Sequence, residues 1–178
     1  MVEVMLALLL IEALLLVSWW APYWVHGVPL FSRRIKVPTA ALLHFPFERL
    51  EDEVADPQWP RLLFRPLAKR SWAFRESFGL HFGWRYPPLM RGQVIIDLRR
   101  REIRVVGRCG WAMLFVGVCF IPAAAKAPAG VAVMGVVFAI IYVVQRHRYL
   151  AVEAAIRRLM SSAGPRRQII TAQPLGQP

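Results

Sequence analysis

Apolar residues along this chain fall into three patterns, and each predicts a different element. The first is the unbroken run. Val4 to Trp20 carries one charge, Glu12, while Cys109 to Ala125 and Ala127 to Val144 carry none. Each run is at the short end of the roughly 17–25 residues a helix needs to cross a bilayer core. The runs predict three transmembrane helices: an N-terminal one at about 4–20, and a C-terminal helical hairpin at about 109–125 and 127–144.

The second pattern has a period of two. From Trp72 to Tyr86 every even position except Glu76 is apolar, and Arg75, His81 and Arg85 fall among the odd ones. Such alternation marks a half-buried strand. Gly79 and Gly83 are the residues that permit a turn within this stretch. Further on, QVIID and EIRVV flank LRRR. That reads as a hairpin whose turn is held by Asp97 and whose exposed tip is Arg99, Arg100 and Arg101. The strands are expected over about 72–86 and 93–106, inside a β-rich domain spanning 31–108. The segment from His26 to Ala40 is punctuated by proline and reads as irregular chain along the membrane surface. RLLFRPLAKR shows no clear period.

The third pattern recurs every three or four residues. Tyr149, Val152, Ile156, Leu159 and Met160 form an apolar stripe beside Arg157 and Arg158. Residues 145–163 are thus expected to extend the last helix as an amphipathic segment. Gly164-Pro165 ends it, and 164–178 reads as a disordered tail.

Together these patterns predict an α+β membrane protein: three transmembrane helices with a small antiparallel β-rich cytoplasmic domain between the first and the last two. Composition agrees, with 57% hydrophobic residues and a mean hydropathy of +0.41. Charge then orients the chain. Residues 31–108 hold sixteen Lys plus Arg against eight Asp plus Glu, whereas the first thirty residues hold no basic residue and the link between the last two runs holds only Lys126. Basic loops stay inside, so the β-rich domain and the C-terminus are expected in the cytoplasm and the N-terminus outside, in a cell (inner) membrane.

Glu12 sits in mid-run. Seven leucines and three β-branched neighbours contribute on the order of −3 to −6 kcal/mol to insertion against about +3 for one acid, so the helix is retained. MVEVM lacks the basic start of a signal peptide, and SWWAPYW offers no small-residue cleavage site. Trp19, Trp20, Tyr23 and Trp24 read as an interfacial aromatic belt. An acid in such a run is either a functional group or a protonated hydrogen-bonding partner for a neighbouring helix.

No catalytic signature is present: no HExxH, P-loop, GxGxxG or Ser-His-Asp arrangement, and Cys109 and Cys119 lack metal-ligand spacing. No cofactor is implied. Arginines interleaved with aromatics can bind single-stranded nucleic acid, but strict alternation puts the two types on opposite faces, which argues against that partner. Arg75, Arg85, Arg99, Arg100, Arg101, Arg157 and Arg158 are the candidates for contact with anionic lipid head groups or an acidic partner. The sequence thus points to a non-enzymatic accessory or scaffold subunit, packed on a membrane partner or on further copies of itself. The alternatives are a membrane-anchored sensor whose β-domain binds a lipid or small ligand, and a membrane enzyme or transporter component using Glu12.

Overall fold

The structure, a computed structural model, describes residues 2–43, 45–77 and 89–162. Among these residues lie eleven elements in the order α1 (Val2–Ser18), α2 (Ala21–Val25), β1 (Pro29–Lys36), α3 (Thr39–Leu43), α4 (Phe47–Glu53), β2 (Leu62–Ala68), β3 (Ser71–Glu76), β4 (Met90–Asp97), β5 (Glu102–Cys109), α5 (Trp111–Lys126) and α6 (Pro128–Ser162). The strands form one antiparallel sheet in the order β1-β5-β4-β3-β2.

Three transmembrane helices are not what this fold contains. Among the described residues one helix, α6, is long and apolar enough to cross a membrane, and its two expected parts are a single uninterrupted helix of 35 residues. The other two runs were counted across residues that are not helical. The N-terminal run includes Trp19 and Trp20, but α1 ends at Ser18, where Trp19 turns into the left-handed region at φ 55°. The second run begins at Cys109, which closes β5, with Gly110 as the N-cap of α5. What remains is about 26 Å of helix in α1 and about 24 Å in α5 at 1.5 Å per residue, short of a hydrocarbon core of roughly 30 Å. In α5, Pro122 also removes one backbone donor.

The sheet is larger than expected. The segment read as irregular contains β1, an edge strand paired with β5 from Pro29↔Arg108 to Lys36↔Glu102. The segment without a clear period contains β2, the other edge, where Pro66 costs no ladder partner on its outer side. The β4–β5 hairpin turns at 98–101, where Asp97 Oδ1 accepts the backbone N–H of Arg99 and of Arg100, each at 3.0 Å. Phe78 to Pro88, including Gly79, Gly83 and Arg85, lie outside the described residues, as does the expected tail beyond Ser162.

One sheet face carries the core. Phe31, Ile35, Phe74, Val94, Ile103 and Val105 point to it and meet Tyr149, Val152, Ala155, Ile156 and Leu159 of α6, with α4 closing the β2–β3 side through Leu50 and Phe47 stacked on Trp72. Gly92 and Gly107 are cross-strand partners on this face. Their missing side chains leave the floor on which aromatic rings lie: a Cβ on Gly92 would sit 2.2 Å from the Phe74 ring, and one on Gly107 2.8 Å from Tyr149. Phe74 and Tyr149 pack together there at 5.0 Å between centroids. At Gln145 the helix changes partners, its Oε1 accepting the Met90 N–H at 3.0 Å. Towards Pro128 the helix keeps contact with the sheet and its core through Ile141 and Tyr142, whose Oη donates to the Leu30 carbonyl oxygen at 3.4 Å, and most large side chains before them are exposed.

Candidate functional site at the helix–sheet junction

The turn at Trp19 folds α2 back along the end of α1, which brings Tyr23 beside Glu12. Tyr23 Oη donates to Glu12 Oε1 at 2.5 Å. The same carboxyl group accepts the first backbone N–H groups of α5, from Trp111 at 2.9 Å and Ala112 at 2.6 Å. The N-cap of α5 is Gly110, which has no side chain to offer, so the capping oxygens come from another helix. Only glycine allows that approach, because a Cβ at position 110 would lie 2.5 Å from Glu12 Oε1. A carboxyl group at a helix N-terminus also meets the positive end of the helix dipole. Glu12 thus accepts from three donors and ties α1 to α2 and α5 through hydrogen bonds.

Arg91, 3% exposed, backs this group from β4. Its guanidinium donates to the carbonyl oxygens of Tyr23, of His26 at 2.6 Å and of Cys109 at 3.3 Å, and lies 3.7 Å from the Tyr23 ring centroid. Gly27, at φ 143°, lets the linker pass it, since a Cβ there would sit 2.6 Å from Arg91 Nη2. Burial lowers the pKa of Arg91, opposed by Tyr23 and Glu12. Burial and the Glu12 charge push the Tyr23 phenol above its ordinary range, so it stays a donor. Burial likewise raises the Cys109 thiol, and Cys109 and Cys119 are both free.

A groove of about 570 Å³ opens at this junction, with Ile11, Leu15, Trp20 and Trp111 around Glu12 and Tyr23. Its chemistry is a carboxyl group engaged by three donors beside apolar walls, and behind it Arg91 Nε is buried without a hydrogen-bond partner among the described residues. Among the described residues no group of His, Cys, Asp and Glu could hold a metal ion.

The candidate residues read from sequence are scattered. Arg75 lies on the sheet face opposite the core, its guanidinium 4.9 Å from the Trp19 ring. Arg99, Arg100 and Arg101 form the tip of the β4–β5 hairpin, at the opposite end of β5 from α5. Arg157 pairs with Glu153 at 2.7 Å and Arg158 with Glu53 at 2.6 Å. Of the four aromatics read as a belt, Trp20 is exposed, Trp19 stacks on Trp24, and Tyr23 and Trp24 are buried against the sheet. Sequence reasoning missed Arg91, which sits between Met90 and Gly92 just before the hairpin pattern, and Gly110, whose use depends on a helix about 100 residues away in sequence. Arg34, Arg104 and Arg108, which counted in the sequence only toward membrane orientation, share the face of Arg75, as does Arg65, which sequence reasoning missed.

No family model matches the chain, nor does a curated protein or a solved structure.

Proposed function

We propose that the protein is a non-enzymatic accessory or scaffold module whose apolar helical end is embedded in a membrane and whose sheet stands on the cytoplasmic side. The distribution of exposed apolar side chains carries this reading. Among the described residues, every large one left exposed apart from Leu43 lies on α1, on α5, on the part of α6 before Gln145, or between Trp20 and Leu30. A contiguous apolar surface of this kind marks contact with lipid or with another apolar surface. In this reading α6 crosses the bilayer, and α1 and α5 lie along it, held by the Glu12 cap. The basic residues next to these helices support a cytoplasmic position for the sheet. The exposed helix faces are where a membrane partner or a second copy packs.

The test is sedimentation of the full chain with phosphatidylcholine vesicles after an alkaline carbonate wash. Retention is the expected result, and release into the supernatant overturns the reading. The groove beside Glu12 favours a second reading, a sensor for an apolar ligand, whose mark is a thermal shift on adding a lipid or fatty acid. A proton-handling role for Glu12 has less support, because its oxygens are taken up by three donors.

A further inference from the structure

Charge is distributed unequally over the two sheet faces. On the core face arginines meet acids: Arg33 faces Glu153, Arg148 faces Glu76, and Arg158 of the covering helix faces Glu53. On the opposite face basic residues outnumber acids among the described residues. Lys36 stands across from Glu102, but one step nearer the helices Arg34 stands directly across from Arg104. Like charges at opposed positions of an antiparallel pair repel. Among the described residues the acids of this face, Glu102 and Asp97, sit at its far end, where Glu102 Oε1 pairs with Arg104 Nε at 3.8 Å, as Glu153 does with Arg33 on the core face. Arg104 Nε is buried without a hydrogen-bond partner among the described residues.

Crowding continues toward the helices. Arg108 follows on the same side of β5, its pKa lowered by burial and by Arg104. On the β2–β3 side Arg65 and Arg75 both lie over the ring of Trp19, at 5.5 and 4.9 Å. Trp19 directly follows α1, whose side chains at Leu10, Leu14 and Val17 are exposed. These arginines thus border the surface that the proposed function places in lipid, and Arg108 there also donates to Gln93 Oε1 at 3.4 Å and to the Gly27 carbonyl oxygen at 3.3 Å.

We infer that this face, through Arg34, Arg104 and Arg108 with Arg65 and Arg75 beside Trp19, docks the phosphate head groups of anionic phospholipids belonging to the bilayer that holds the helices. The guanidinium fork matches phosphate oxygens, and an anion removes the repulsion that opposed arginines otherwise keep. The inference rests on the membrane reading above, and it moves the lipid contact from the Arg99–Arg101 tip to the sheet face.

The experiment is native mass spectrometry of the full chain in mixed micelles holding equal phosphatidylglycerol and phosphatidylcholine. The unaltered protein retains phosphatidylglycerol preferentially. The triple variant Arg34→Gln/Arg104→Gln/Arg108→Gln loses that preference by about tenfold or more, at roughly fivefold per arginine near the surface. The variant Arg99→Gln/Arg100→Gln/Arg101→Gln, with the same change in net charge, keeps it. Equal retention of the two lipids by the unaltered protein overturns the inference. So does an equal loss in the tip variant, or displacement of phosphatidylglycerol by inorganic phosphate, which would make the face a site for a soluble anion. Should the triple variant not fold, Arg34→Gln alone, exposed on an edge strand, carries the test with about a fivefold loss. Sedimentation with phosphatidylcholine vesicles is retained by both variants, so failure of the membrane reading is seen separately.

Discussion

The two halves of α6 share one continuous helix and have opposite surroundings. Before Gln145 the helix shows Val133, Met134, Val136, Val137, Ile140 and Val143 to the outside. From Ile141 on, the buried positions Gln145, Arg148, Tyr149, Val152, Ala155, Ile156 and Leu159 form one stripe against the sheet, while Arg146, His147 and Arg157 stay exposed. The first half is apolar all round, so its sequence does not say which side has a neighbour. The second half is apolar on one side, and that side is the one that packs. A helix reports its packing partner only where polar residues mark the rest of its surface.

The largest effect comes from placing the same charge in each half. Ile156→Asp puts a carboxyl group among fully buried side chains and should cost on the order of 4 kcal/mol or more, enough to unfold the sheet as seen by near-UV circular dichroism. Val136→Asp, at a position 60% exposed, should leave that signal intact and instead weaken vesicle sedimentation. Similar unfolding by both would erase the distinction between the halves.

A smaller effect tests the floor under α6. Gly92→Ala drives a methyl group into the Phe74 ring, which is held between Phe64 and Tyr149, and should cost about 1–3 kcal/mol in chemical denaturation. An unchanged midpoint would mean that the rings are not confined there.

Next is the cap that ties α1 to α5. Glu12→Leu leaves the Trp111 and Ala112 N–H groups without their acceptor, for about 1–2 kcal/mol, and Glu12→Gln, which keeps one acceptor oxygen, should lose about half as much. Amide exchange at Trp111 and Ala112 reads this directly. Equal protection in both variants would remove Glu12 from the cap. Smallest of all is Arg157→Ala on the exposed side of α6: its pair with Glu153 should contribute no more than about 0.5 kcal/mol.

Part of the fold was legible because a local pattern stated it. Trp72 and Phe74 alternate with Ala73 and Arg75, and β3 turns the first pair to the core and the second away. Asp97 marked its own turn, since the side chain bonds N–H groups two and three residues on. Edge strands were harder. In β1 a charged residue, Arg33, occupies a core-side position because Glu153 of a distant helix meets it, which breaks the alternation that would have marked the strand. In the candidate site, Glu12 was conspicuous as the one charge in an apolar run. Its partners were not, because Tyr23 arrives by a turn and the α5 amides by a chain reversal about 100 residues later.

The sequence by itself determined where apolar and basic residues concentrate, the central hairpin and the packing side of the last helix, because these follow from composition and from periods of two and 3.6 along a single segment. Only the tertiary structure decided how long each helix is, which strands adjoin, which arginines meet acids, and what Glu12 bonds. Those depend on where the chain turns, at Trp19 and Gly110, and on which distant segment then lies alongside. Strand order and cross-strand register bring Arg34 opposite Arg104 although seventy residues separate them in sequence, and no local period contains that fact.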